Sequence, residues 1–362
     1  MATPVKGPSL KTVARAVGVS VATVSNAYNK PDHLSAELRE RIFATARELG
    51  YAGPDPAARS LRGWRSGSIG VLSTVQLSYA FTDPYCTEYL AGVADIAEQY
   101  QTSVLLMPLA PRPVSSDEEV RQSVAAVRNA VIDGVVIDGI DDGHPALRVV
   151  DERRLPRVRS TDDPAGQCVL IDDRAAGESL GRHLASLGHR NIAVVAASVH
   201  APGQLCRTAD DRVLYPYARL RLAGLRDGLG ADGQVTTVAV GPNRREDGQA
   251  AAAEILQWLP RSTAIVATSD VLGLGVLAAL REHGARPGAE VSVTGFDDIP
   301  EAAAAGLTTV RQPIREKGRL MARMLLDPTM TQRRIVLPAL LVTRTSTGPA
   351  RVATSAAFSS DE

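Results

Sequence analysis

Leu10-Lys-Thr-Val-Ala-Arg-Ala-Val-Gly18-Val-Ser20-Val-Ala-Thr-Val-Ser-Asn26-Ala-Tyr-Asn29 holds two short helical patterns with Gly18-Val19-Ser20 between them. In the first, Leu10, Val13, Ala14 and Val17 fall at i, i+3, i+4, i+7 and form one apolar stripe. Gly18 ends that helix without steric cost, and Ser20 is placed to cap the next by accepting a backbone N–H. In the second, Val24, Ala27 and Tyr28 are expected to point inward, while Ala22, Ser25, Asn26 and Asn29 share a small, polar outer face. A third helix follows, capped by Ser35, with Glu37 in its positive first turn and Leu38, Ile42, Ala46 and Leu49 inward. A helix, a tight turn and a second helix with such a face match the way a recognition helix enters a DNA major groove. The alternative is an ordinary three-helix bundle, whose outer face more often carries Lys and Glu.

Beyond the head, Gly50-Tyr51 closes the third helix and Pro54-Asp55-Pro56-Ala-Ala58-Arg59-Ser60-Leu61-Arg62-Gly63 follows. Its two prolines forbid a helix before Ala57, whereas Ala58 to Arg62 favours one too short to hold alone. Such a segment is expected to order only against a partner. Thr12-Val-Ala, Gly18-Val-Ser, Thr23-Val-Ser, Asn26, Leu49-Gly-Tyr51 and Ala58-Arg-Ser-Leu61, in that order, resemble the lactose-repressor (LacI/GalR-type) family of bacterial transcription regulators. The resemblance continues through Asp172…Gly177, Leu187-Gly-His-Arg-Asn-Ile192, Arg221-Leu-Ala-Gly224 and Ser269-Asp270. It ends with Val293-Thr-Gly-Phe-Asp-Asp298, Leu307-Thr-Thr-Val310, Gln312-Pro313 and Arg344-Thr-Ser346, and so covers almost the whole chain.

Composition agrees. The chain has 362 residues, 44% of them hydrophobic, enough for more than one core. Its formal net charge of zero hides an asymmetry: residues 1–65 carry ten Lys/Arg against five Asp/Glu, the remainder 30 against 35. A basic head on an acidic body suits a head drawn to phosphates and a body repelled by them. Cys86, Cys168 and Cys206 are odd in number and far apart, so neither a disulfide framework nor a cysteine zinc site is expected, and His183…His189 is no metal spacing. No cofactor and no metal is expected. No apolar run reaches membrane-spanning length and no signal-peptide core is visible, which places the protein in the cytoplasm with no membrane partner.

The body alternates β-rich runs with amphipathic helices. Strands are expected at Ile69–Ser73, Ser103–Met107, Gly134–Asp138, Val169–Asp172, Ile192–Ala196, Ala264–Thr268 and Val291–Gly295. Helices are expected near 84–100, 117–130, 174–187, 215–229, 245–258 and 270–283. This rhythm predicts parallel sheets covered by helices, with ligands beyond the carboxyl ends of the strands, near Asp138, Asp172, Ser269-Asp270 and Asp297-Asp298. The resemblance adds that the body is a two-lobed, periplasmic-binding-protein-like α/β unit with three crossovers and an effector between its lobes. The organisation expected is a helix-turn-helix head at 1–52, a hinge at 53–66, the effector-binding and dimerisation body at 67–347, and a disordered tail at 348–362. That tail has no heptad pattern, which favours a homodimer over a tetramer.

By motif, the resemblance implies an effector site. Arg221 would clamp an acceptor-rich ligand, Asp297 would accept from hydroxyl or N–H groups, Ser269 or Asp270 would line the second lobe, and Gln312 a crossover. Tyr79 or Phe81, in the loop after the first strand, would pack on a ring. The bland alternatives are a surface Arg221 and an Asp297-Asp298 pair capping a helix at Pro300. In the head, Val21, Ala22 and Asn26 occupy the family's base-reading positions; Asn suits an adenine edge, and the two apolar residues suit a thymine methyl. Ser20, Thr23, Ser25, Asn29 and His33 would bind phosphates and set register. Arg59 belongs to the hinge, and paired Leu61 side chains would wedge into the central minor-groove step of double-stranded operator DNA. The stretch Tyr51-Ala-Gly-Pro-Asp55 is one residue longer than the family's usual hinge start and has Asp for Asn, a departure that bears on the exact placement of Arg59 and Leu61 but not on the wedge itself.

The function implied is a sequence-specific regulator, a repressor by family habit, that binds a near-palindrome as a dimer and answers to a sugar or other metabolite. Inducer and corepressor are both open. Among other classes, a periplasmic binding protein shares the body but not the head. An enzyme finds no support in Gly273-Leu-Gly275, which lacks the third glycine of a nucleotide turn and falls in a helical pattern, and no catalytic residue is assigned. A purely architectural DNA binder would not need the body.

Overall fold

The computed structural model describes residues 8–29, 33–51, 53, 66–109, 117–200, 203–241, 243–258 and 262–351. The hinge residues Arg59 and Leu61 and the tail from 352 onward lie outside the described residues.

The head contains helices Leu10–Val17, Val21–Asn29 and Ala36–Glu48. Gly18 sits at φ 75°, where its missing Cβ permits the left-handed turn, and its N–H bonds Ala14 O. The Ser20 hydroxyl accepts from Thr23 N at 3.0 Å, and that of Ser35 from Leu38 N at 3.3 Å, so both expected caps form. Val13, Ala14, Val24, Ala27, Ile42 and Ala46 make the core. Tyr28 closes it with edge-on contacts to Phe43 at 4.9 Å and Tyr51 at 6.1 Å. Leu49 departs from expectation. It lies at the C-cap with 37% of its surface exposed, because the Tyr51 ring packs on that end of the core instead.

The body has thirteen strands among the described residues: β1 (Ser68–Ser73), β2 (Ser103–Pro108), β3 (Val135–Asp138), β4 (Arg157–Arg159), β5 (Gln167–Ile171), β6 (Asn191–Ala197), β7 (Leu205–Thr208), β8 (Gln234–Val240), β9 (Ala264–Ala267), β10 (Ser292–Thr294), β11 (Thr309–Arg311), β12 (Arg334–Leu337) and β13 (Leu340–Val342). The first lobe is one sheet in the order β12-β5-β4-β3-β1-β2, the second is β10-β9-β6-β8-β7, and β11 pairs with β13 separately. The pairs β1–β3, β3–β4, β4–β5, β5–β12, β6–β8, β6–β9 and β9–β10 are parallel; only the edge pairing β7–β8 runs antiparallel in that lobe. The central strand β6 is buried along all but its first residue, as a strand covered on both faces must be. The chain crosses between lobes after β5, after β11 and after β12. All seven expected strands form, within a few residues of their expected ends. The short β4, β7 and β11 to β13, the longer β8, and helix Ile314–Leu326 were not anticipated; the shorter ones span too few residues to display a period.

One helix crossing positions the site. Helices Asp173–Ser186 and Pro216–Leu229 pack so closely that a Cβ on Gly224 would overlap Arg174 O, and one on Gly177 would overlap Arg221 O. Glycine at both places lets the backbones touch and sets the depth of Arg221. Residues just past the expected boundary at 347 bond the body: Gly348 N bonds Ser292 Oγ at 3.0 Å, and Ala350 N bonds Leu187 O at 2.8 Å. Among the described residues no helix is long and apolar enough to cross a membrane.

Candidate functional site

A cavity of about 180 Å³ lies between the lobes, at the carboxyl ends of β1, β3, β5 and β9. Arg221, 8% exposed, is held there from several sides. Its Nε donates to Asp173 Oδ1 at 2.8 Å and its Nη1 to Thr268 O at 2.6 Å, while Asp297 Oδ1 lies 3.9 Å away. The guanidinium carbon sits 3.4 Å from the Phe296 ring centre and 4.7 Å from that of Tyr217. Among the described residues, two of its five donors and both flanks are thus occupied, which leaves donors for a ligand.

Asp297 and Asp298 follow β10 with φ of 120° and 59°, an unfavourable backbone for two non-glycine residues that costs about 1–3 kcal/mol each and marks a built feature. The turn sends the two carboxylates apart. Asp297 enters the cavity and its Oδ1 accepts from Gln312 Nε2 at 2.6 Å. Burial holds its carboxyl well above the usual range, countered only in part by Arg221. Asp298 turns to Arg344 at 2.6 Å and Arg311 at 2.5 Å; these outweigh burial and hold it low.

Of the expected effector residues, Tyr79, Arg221, Ser269, Asp297 and Gln312 line the cavity. Phe81 does not: it is 62% exposed, one residue past the turn Leu77–Ala80, so Tyr79 alone of that aromatic pair faces inward. Asp270 does not either. It is fully buried, accepts from Thr309 Oγ1 at 2.6 Å and from Ile299 N at 2.9 Å, and burial lifts it to about 6 despite those bonds. It pins the loop that carries Asp297. Tyr79 Oη donates to Asp83 Oδ2 at 2.5 Å and meets Asn243 O and Nδ2 at 2.9 Å, joining the lobes across the cavity rim. Ser269 caps helix Asp270–Glu282 and also bonds the Asn243 side chain.

On the recognition helix, Val21 is 40% exposed and Ala22 is exposed, while Thr23, Ser25 and Asn26 are half-buried. Ser20 and His33 are exposed at either end of this region. The Asn29 side chain lies outside the described residues.

The profile of bacterial regulatory proteins, lacI family, matches residues 9–53, and that of periplasmic binding protein-like domains matches residues 182–347. An HTH-type transcriptional regulator of Mycolicibacterium smegmatis is 38% identical over 340 residues, covering 90% of this chain and 92% of that protein. The chain belongs to the LacI family. A lac repressor dimer bound to operator and the anti-inducer ONPF matches with TM-score 0.73 at 26% identity, over 95% of this chain and all of that one. A transcriptional regulator CelR–cellobiose complex matches with TM-score 0.62 at 26% identity, over 94% and 99%. This LacI-family chain is therefore a transcriptional regulator, not an enzyme, with a DNA-binding head and an effector-binding body.

Several lining residues of the regulator escaped the sequence motifs: Tyr85, Asp173, Tyr217, Asn243 and Lys317, with Asp138 marked only as a strand end. Lys317 carried a usable signal, being the one lysine outside the first thirty residues and lying on an otherwise apolar helix face. Asn243, in a loop at φ 78°, carried none.

Proposed function

We propose that this regulator is a repressor that binds a near-palindromic operator as a homodimer, and that a sugar or related metabolite in the cleft sets its operator affinity. The observation that carries this is the cavity itself: Arg221, from within helix Pro216–Leu229, and Asp297, from the turn after β10, converge on it in a body joined to a helix-turn-helix head. The solved relatives hold operator, anti-inducer or cellobiose, and one is a dimer. An exposed apolar pair, Val104-Leu105, on the edge strand β2 is a surface that a second copy would cover.

In this reading Asn26 contacts an adenine edge and Val21 and Ala22 a thymine methyl, with Ser20, Thr23, Ser25, Asn29 and His33 on phosphates. The hinge folds on the operator, where Arg59 follows the groove and Leu61 enters the central step. Because one head reads too few base pairs alone, two act together, and an effector that alters the lobes alters how the hinges fold. Such couplings amount to about 1–3 kcal/mol, or roughly 5–150-fold in affinity. The cleft chemistry serves an inducer and a corepressor alike.

Selection of tight-binding duplexes from a random library by the full-length protein tests this. A palindrome with a flexible pyrimidine–purine step at its centre is expected. Enrichment of single, unpaired half-sites would defeat the dimer, and falling transcription of the target operon on gene deletion would defeat the repressor.

A further inference from the structure

Lys317 sits where an apolar residue belongs. Its helix Ile314–Leu326 buries Ile314, Gly318, Met321 and Ala322 against the first lobe, and Lys317 on the same face is 7% exposed. An ammonium is kept at such a place only with partners. Here Lys317 Nζ donates to Tyr85 Oη at 2.9 Å, Tyr85 Oη donates to Asp138 Oδ1 at 3.2 Å, and Nζ lies 3.4 Å from that same oxygen. The triangle leaves Asp138 Oδ2 without a hydrogen bond from the described residues and the ammonium with donors to spare, beside the cavity. Across the cleft, Arg221 with Asp173 and Asp297 repeats the arrangement: a paired cation with unused donors beside carboxylate oxygens.

The charges around the cavity decide what fits. Its lining holds five aspartates against two cations, and each cation is already paired. A hydroxyl group donates one hydrogen bond and accepts others, so a cation–carboxylate pair satisfies it on both counts. A phosphate monoester or a carboxylate only accepts. It would meet Lys317 or Arg221, but would also press its charge on Asp138 or Asp173 in a site sheltered from water.

We infer that the cleft takes an uncharged polyol and rejects its phosphorylated and carboxylated relatives, with Lys317–Asp138 as the specificity-determining pair of the first lobe. This rests on the cleft being the effector site. The asymmetry of the pair also defines its failure: without Asp138, Lys317 becomes a free buried cation and an anion site.

The test is calorimetric titration of the full-length protein with uncharged pentoses, hexoses and cyclic polyols, each alongside its monophosphate and its acid. At least one uncharged compound is expected to bind saturably, with its phosphate and acid weaker by about tenfold or more. Lys317→Met and Asp138→Asn are each expected to lose about tenfold or more for that compound, and Asp138→Asn to gain affinity for the phosphate. The double variant leaves no unpaired ion, so it is expected to melt near the wild-type temperature and still lose the ligand. A phosphate or acid that binds more tightly than its uncharged parent would overturn the inference. So would binding by no uncharged compound, or variants that bind like wild type. If a polyol binds but leaves operator affinity unchanged, the ligand class stands and the effector reading falls.

Discussion

Replacing Arg221 by Met keeps most of the side chain's volume between Phe296 and Tyr217 and removes only its charge and donors. Two carboxylates lose their counter-charge. Asp173 loses a bond at 2.8 Å and Asp297 loses its cation at 3.9 Å, with side-chain exposures of 13% and 8%. Breaking a buried ion pair from one side costs about 3–5 kcal/mol. For a body of this size, that lowers the melting temperature by on the order of 10 °C. The deficit should depend on pH. Burial already holds Asp297 above the usual range, and loss of Arg221 raises it further, whereas the unfolded carboxyl titrates near 3.9. Between those values the native state keeps a proton that the unfolded state has released, so stability falls as pH rises. Thermal and urea unfolding of the full-length variant at about pH 5 and about pH 8 should therefore show the smaller deficit at the lower pH. Adding Asp297→Asn should recover part of the loss at high pH. A deficit below about 1 kcal/mol, or one equal at both pH values, would refute the account of Arg221 as the counter-charge of a buried acid pair.

Gly224→Ala should cost about 1–3 kcal/mol by driving a methyl group into Arg174 O, while Gly143→Ala, with open space around it, should change little; equal melting temperatures for the two would contradict the close helix crossing. His189 is enclosed by Thr263, Ser292 and Gly348 at 2.8–3.0 Å, and burial lowers its pKa, so protonation favours the unfolded chain and stability falls as pH drops through about 6.5. Unfolding of His189→Gln should show a shallower loss between about pH 7 and 5.5, and an unchanged slope would acquit the histidine. Asn26→Ala should cost about 1–3 kcal/mol on the selected operator and relax one symmetric pair of base positions, read by repeating the selection with the variant. Leu61→Ala should weaken specific binding far more than non-specific binding in gel-shift titrations; equal losses would remove Leu61 from the minor groove.

Much of the fold was legible because the forces that set it act over a few residues. Gly18, Ser20 and Ser35 determine where the head's helices stop and start, and the apolar stripes determine which faces meet. The alternation of strand and helix implied parallel sheets with a ligand site at their carboxyl ends, and the family resemblance implied two lobes and pointed to Arg221, Asp297, Ser269, Gln312 and Tyr79, which line one cavity. What the chain order does not contain is orientation. Two carboxylates in a row, Asp297 and Asp298, face opposite ways because positive φ at both residues turns the backbone between them. Asp270 is drawn under the loop by Thr309 and Ile299, and Phe81 is carried past the turn into solvent while Tyr79 meets Asn243, 164 residues away. Lys317 reaches the cleft only because its helix returns to the first lobe after the second crossover and lays that face against Tyr85 and Asp138. Local propensity is a property of neighbours within one helical turn. A cleft between two lobes is built from side chains hundreds of residues apart, so its charge pattern exists only once the sheets and crossovers have brought them together.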